Sequence, residues 1–494
     1  MNSRACLALA AVLGCGPLCL SSVAQTQAAT ATNLTPQQRV EQMIAVPNGA
    51  WTAGDLATMA RLRDAAMSDD YAYRELRHLT DNIGPRIAGS PQAQAAVDYV
   101  AAEMRALGAE VSLQKTIVPH WVRGAETGAL IVWPGMTPAT TQKIVLTALG
   151  GSVATPADGL TAPVTVVDNF DQFRALPASA VQGHIVLFNE HFDKQLAAVG
   201  NGLSAYGDAV AYRALAPSVA ATKGAVAVLV RSVGNADYRL PHTGATVYTD
   251  GIPKIPSAAV AAEDADLLAN LTAQGDVKMR LVLTPQTLPP VPSYDVVADW
   301  KGTEHPEQVV IVSGHLDSWD LGTGAIDDGA GIAVSMQAIH LMQKLGIHPK
   351  RTVRFVAWMD EEQGGEGAES YAKDHAADLI NHVGAIESDL GADHASGISF
   401  AGSPALADYL KPVAHVLESI GASQVTSGGS GEDVSALKGV PGFAPIQDSR
   451  FYFNYHHTAA DTFDKVDPKL LDENAAVMAV LGYALAEADT PAPR

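Results

Sequence analysis

The sequence predicts an α/β protein: a mostly parallel central sheet with helices on both faces, joined to an inserted β-rich unit. Three observations predict it. From Tyr294 onward, short apolar runs with strand character alternate with stretches of helical periodicity, the pattern of βαβ units. Between about Gly124 and Leu288, β runs separated by Gly, Pro and Asp turns dominate. The 494 residues are 47% apolar and 17% charged, an ordinary globular composition that excludes disorder as the main state. Lys+Arg of 32 against Asp+Glu of 53 leaves −21, a field that repels nucleic acid and anionic lipid and tolerates cations, so no nucleic-acid partner is expected.

In chain order, residues 1–24 read as an export signal. Arg4 is the basic start, Cys6 to Leu13 the apolar stretch, and Ser22-Val23-Ala24 supplies small residues at the cleavage positions. Val12-Leu13-Gly14-Cys15 offers a competing lipoprotein signal that would acylate Cys15. Cys6, Cys15 and Cys19 are the chain's cysteines, so the exported form is expected to lack disulfides and thiol chemistry. Any metal must then be held by His, Asp and Glu. Residues 25–123 form an N-terminal helical part, with a linker-like tract from Ser21 to Thr32 and a turn at Gly84-Pro85-Arg86. Residues 124–288 are the insertion, closed by Pro285, Pro289, Pro290 and Pro292 as a stiff linker. Residues 289–494 are the α/β domain, ending in a packed helix over Ala475 to Ala486; no run reaches the ~18 apolar residues of a membrane span. Asn33 and Asn270 start Asn-x-Thr sequons.

Ligands of open α/β sheets gather beyond the carboxyl ends of the strands, so the polar residues after each apolar run carry the functional argument. After Val309 to Ser313 comes Gly314-His315-Leu316-Asp317, which puts His315 and Asp317 on one face, with Asp317 able to orient the His315 ring. Asp327 and Asp328 precede a helix. Asp328 suits an N-cap, which leaves Asp327 unexplained, and two neighbouring anions ask for a cation. Asp360-Glu361-Glu362 follow a buried strand and would repel one another unless a metal or solvent absorbs the charge. The next apolar run ends in Glu387-Ser388-Asp389, and His456-His457 occupy a turn before Thr458 and Asp461.

The ordered set His-x-Asp, Asp-Asp-Gly, Glu-Glu, Ser-Asp and His-Thr-x-x-Asp-Thr resembles the co-catalytic di-zinc aminopeptidase and glutamate carboxypeptidase family. Gly84-Pro85-Arg86, Pro119-His120-Trp121, Pro241-His242-Thr243-Gly244 and Gly251 to Pro256 are similar to its glutamate-carboxypeptidase branch, so the resemblance runs from about Tyr71 to Ala486. It implies a zinc-exopeptidase fold with a protease-associated insertion. It also implies two Zn2+ ions, with Co2+ or Mn2+ able to substitute: His315 and Asp389 on one, Glu362 and His457 on the other, Asp327 bridging. Glu361 falls on the general base and Asp317 on the supporting aspartate. The family's Asp-Asp peptide is cis. The simpler aminopeptidases carry Tyr before the final ligand His to steady the oxyanion; His456 stands there instead and is able to donate a ring N–H. Asp433 and Asp461 read as supports. His120, His242 and His340 read as satisfied loop or helix histidines, and Trp121 and Trp319 as pocket walls.

The expectation is an exported exopeptidase acting on dipeptides or short peptides, with a homodimer as the assembly the resemblance implies. An aminopeptidase of the same family, a one-zinc acyltransferase of the glutaminyl-cyclase type and a metal-free receptor-like ectodomain are the alternatives. The filled ligand positions and Glu361 argue against the last.

Overall fold

The computed structural model describes residues 49–494; the expected signal, Cys15, the tract up to Thr32 and Asn33 lie outside the described residues. The strands, in chain order, are β1 (Glu110–Val122), β2 (Glu126–Val132), β3 (Gln142–Ile144), β4 (Leu146–Ala148), β5 (Leu160–Val167), β6 (Ile185–Phe188), β7 (Ala227–Arg231) and β8 (Ser257–Val260). They continue as β9 (Lys278–Leu283), β10 (Gln286–Trp300), β11 (His305–His315), β12 (Arg351–Trp358), β13 (His382–Glu387), β14 (Ala395–Ala401), β15 (Gln424–Ser427) and β16 (Gly442–Gln447).

Eight of them make one sheet in the order β1-β10-β12-β11-β13-β16-β14-β15. The expected mostly parallel sheet is in fact mixed. Neighbours β12, β11, β13 and β16 are parallel, whereas β1/β10, β10/β12 and β14/β16 are antiparallel. The parallel centre is where helical crossovers such as Ala330–Leu345 and Glu366–Asp374 return the chain, and parallel pairing needs such crossovers. Period-two alternation divides its side chains between two cores. Val310, Val312, Val353 and Phe355 join the core under helices Ala330–Leu345 and Pro468–Glu487, while Ile311, Val356 and Trp358 face Tyr371 and Leu437. The C-terminal helix starts at Pro468, with the Asp467 carboxylate accepting from the N–H of Lys469, and is buried along Ala475–Ala486.

The proline cluster is not a linker. Pro289, Pro290 and Pro292 lie within β10, which pairs with β1 across a register slip between Val118 and His120. Pro289 and Pro290 fall in that slip, without partners on β1, and β10 meets β12 only from Val296 to Trp300, so along the prolines its other edge is free.

Residues 126–283 supply every strand of a second sheet, in the order β3-β2-β9-β5-β6-β7-β8-β4. β5 to β8 are parallel, and helices Gly202–Ala221 and Ala262–Gln274 belong to this unit, so it is less purely β than its sequence texture. Among the described residues, no helix is long and apolar enough to cross a membrane.

Candidate metal centre

Parallel pairing of β11 with β12 and β13 sets three strand exits side by side: His315 ends β11, Asp360-Glu361-Glu362 follow β12, and Asp389 follows β13. Asp328 ties the start of helix Ala330–Leu345 to that edge. Its Oδ1 accepts from the N–H of Gly331 and its Oδ2 from the N–H of His315, both at 3.0 Å. A Cβ on Gly331 would lie 1.9 Å from the Ser388 carbonyl, so only glycine lets the helix start this close to β13. The Asp327–Asp328 peptide is cis, as the resemblance implies.

The buried carboxylate of Asp327 lies between two imidazoles. Its Oδ1 is 3.2 Å from His315 Nε2, and its Oδ2 is 3.3 Å from His457 Nε2 and 3.6 Å from His456 Nε2. His315 Nε2 is also 3.4 Å from Asp389 Oδ1, and His457 Nε2 is 2.9 Å from Glu362 Oε2. His315, Asp327 and Asp389 converge tightly enough to hold one ion; Asp327, His456 and His457 form a second such group. All five expected ligand positions therefore meet in one place, with His456 beside them, its ring stacked on His457 at 3.6 Å.

Asp317 meets His315 more closely through its main chain than through its side chain. The His315 Nδ1 lies 3.0 Å from the Asp317 backbone carbonyl and 3.7 Å from its carboxylate. The carboxylate instead accepts the N–H groups of Asp360, Glu361 and Glu362 at 2.8, 3.1 and 3.3 Å, fixing the β12 exit. Asp461 does the same for Asp327: its Oδ1 accepts the N–H groups of Ala325 and Ile326, both at 2.8 Å. Asp433 is buried beside Glu387, away from the ligand cluster's hydrogen bonds.

Two supports were missed. Arg86, fully buried, spends its guanidinium on the carbonyls of Gly84, Leu316, Thr323 and Gly324, bracing the loop between His315 and Asp327. Its motif reads in the sequence as a turn and as part of the resemblance, with no role for the side chain. Thr243 contacts His457 from the second unit; the Pro241-His242-Thr243-Gly244 motif was the available signal. His242 is buried with neither ring nitrogen hydrogen-bonded, so it is not a satisfied loop histidine; burial pushes its imidazole down to about 3. His340 is satisfied, its Nε2 donating to Asp69 Oδ2 at 3.0 Å. His120 lies in β1 rather than a loop. Trp121 is no pocket wall: it is buried in the second unit's core, with Nε1 donating to the Ser152 carbonyl. Trp319 does wall the site, edge-on to His457.

The donor set fits divalent cations. Burial pushes Glu361 and Glu362 well above the usual carboxylate range; for Glu362 the nearby Asp327 and Glu361 charges add to this, and for Glu361 the His315 charge partly offsets it. Burial likewise holds His457 well below its usual range, keeping the imidazole neutral as ligation requires. Asp327 Oδ2 and Glu362 Oε1 are buried without a hydrogen-bond donor, an arrangement a cation would satisfy. A cavity of about 150 Å³, lined by Ile326, Leu390, Asp393, Tyr452, Tyr455 and Lys465, takes in the chain neighbours of Asp327 and Asp389 but not those two carboxylates themselves.

Comparison with known proteins agrees with this geometry. Residues 295–482 match the model of peptidase family M28. Carboxypeptidase Q of Bos taurus is 37% identical over 446 residues, covering 89% of this chain and 91% of that protein. Carboxypeptidase Q of Homo sapiens is 37% identical over 448 residues, covering 90% and 91%. The crystal structure of a peptidase M28 precursor from Shewanella amazonensis superposes with a TM-score of 0.82 at 35% identity, over 89% of this chain and 99% of that one. Similarity of this extent, together with the converging carboxylates and imidazoles, means that the chain is a metallopeptidase and belongs to peptidase family M28, alongside carboxypeptidase Q.

Proposed function

We propose that this chain is an exported, zinc-dependent exopeptidase that hydrolyses dipeptides or short peptides. The observation that carries the reading is Asp327 standing between His315 and His457, with Asp389 and Glu362 completing the two ends. His315 and Asp389 would hold one ion, Glu362 and His457 the other, and Asp327 would bridge them; Co2+ or Mn2+ would suit the same N/O donors. When bound, two such ions supply Lewis-acid polarisation of the scissile carbonyl and a water acidified toward neutral pH.

The protein's own groups do the rest. Glu361, left out of ligation, takes the proton from the attacking water and delivers it to the leaving amine; a carboxyl raised by burial is matched to both halves of that task. His456 donates a ring N–H to the developing oxyanion. Asp317 and Asp461 hold Glu361 and Asp327 in register through backbone N–H groups. The cavity that includes Ile326 and Leu390 would take one substrate side chain, between aromatic walls and the charged groups of Asp393 and Lys465.

The span 124–288 acts as a protease-associated insertion that limits the site to chain ends; contact of Thr243 and Arg213 with His457 supports this reading. Dipeptides with a blocked amino or a blocked carboxyl end, compared with unblocked ones, test the assignment and tell a carboxypeptidase from an aminopeptidase. Unblocked dipeptides are expected to be cleaved fastest. Internal cleavage of a long peptide blocked at both ends would refute the exopeptidase reading.

A further inference from the structure

His457 has a left-handed backbone, φ +60, which residues with a Cβ adopt only where their surroundings hold them. The hold comes from the unit built on the second sheet. The N–H of Thr243 donates to the His457 carbonyl at 2.9 Å, and the Thr243 carbonyl lies 3.3 Å from His457 Nδ1. One residue thus clasps both the main chain and the ring of the same histidine, 214 positions away in sequence.

The ring contact has a chemical consequence. An imidazole that turns a bare Nε2 toward Glu362 and Asp327 carries its proton on Nδ1, and that proton needs an acceptor. Arg213 Nη1 also stands 3.3 Å from Nδ1, but a guanidinium has only donors. The Thr243 carbonyl is the acceptor that selects the tautomer.

Thr243 is itself held by its side chain. It is fully buried, its hydroxyl donates to the Ala148 carbonyl at 3.0 Å and accepts from Arg123 Nη2 at 3.2 Å. Arg123 grips Asp320, with contacts of 2.7 to 2.9 Å, and Asp320 lies in the loop that leaves β11 after His315 and Asp317. The run Asp320–Arg123–Thr243–His457 joins the loop behind one imidazole to the ring of the other.

We infer that Thr243 is a positioning residue for His457, so that the second-sheet unit completes the metal centre instead of only covering it. This rests on the reading of His457 as a metal ligand. The test is Zn2+ release from the full chain to a competing chelator, for wild type, Thr243→Val, Thr243→Ser and Asp320→Asn, with His457→Ala marking which release step belongs to His457.

Thr243→Val keeps the shape and removes the hydroxyl anchor. It should weaken the His457 step roughly 10–100-fold while leaving the other step unchanged. Thr243→Ser restores the anchor and should come within about threefold of wild type, and Asp320→Asn, which only loosens Arg123, should weaken the same step by a smaller factor in that range. Unchanged release in both Thr243→Val and Asp320→Asn, or equal weakening of both steps, would overturn the inference. Should Thr243→Val not fold, Asp320→Asn decides alone by the same criterion. A wild-type protein that binds fewer than two Zn2+ would instead overturn the underlying metal assignment, which separates the two failures.

Discussion

The carboxylate of Asp317 accepts the backbone N–H of Glu361 at 3.1 Å, while His315 is backed by the Asp317 carbonyl. One residue thereby orients both a proposed metal ligand and the proposed base, by two different groups. Only the second contact depends on the side chain. Asp317→Asn keeps one acceptor for three N–H groups, so kcat is expected to fall about 10–100-fold while two metal ions stay bound. Steady-state kinetics beside metal analysis check this; loss of one ion would mean that the carboxylate supports ligation directly.

Glu361→Gln preserves shape and removes the base. The expected outcome is a loss of ~10²–10⁴ in turnover with fold and metal content unchanged. If that variant loses metal, Glu361 is a ligand and its roles with Glu362 are exchanged.

The stacked pair His456 and His457 divides by contact. His457 lies within 2.9 Å of Glu362 and 3.3 Å of Asp327, His456 only within 3.6 Å of Asp327. His457→Ala should empty one metal position. His456→Ala should keep both and lower kcat by about 10²–10³, the usual cost of removing an oxyanion donor. Equal metal loss in the two variants would defeat the division.

A fourth expectation concerns acid stability. Burial raises the Asp299 carboxyl, but its paired contacts with Arg354, at 2.6 and 2.9 Å, and its bond to Lys301 outweigh burial and leave it below the usual range. A lowered folded-state pKa means stability that is present above the unfolded value near 4 and lost as pH falls through the folded value. Asp299→Asn, which leaves Arg354 without its charge partner, should therefore cost about 3–5 kcal/mol at pH 7, with the gap to wild type narrowing below pH ~4. Denaturant titrations at pH 7 and pH 3 measure it; a gap that stays constant with pH would contradict it.

Four of the five proposed ligand positions were legible because each follows an apolar run or opens a helix, and a strand exit in a parallel sheet is a place for ligands; His457, in a turn, was legible only through the resemblance. The order of the sheet was not. β14, β15 and β16 are short, with Ser and Gly among their residues, and their antiparallel step is set by contacts no local pattern records. The first half of β10 escaped notice because its prolines mimic a linker, although a free edge tolerates them; its end, Val296 to Trp300, reads as a strand. Arg86 and Thr243 act largely on or through main-chain carbonyls, which carry no residue-type signal; only the pairing of distant segments reveals them.

The account turns on two metal ions serving one hydrolytic site. Chelated, metal-free protein titrated with Zn2+ while cleavage of an unblocked dipeptide is followed tests this most directly. Activity should be absent at the start and rise to its maximum at two equivalents per chain. Full activity without added metal, or a plateau at one equivalent, would contradict it.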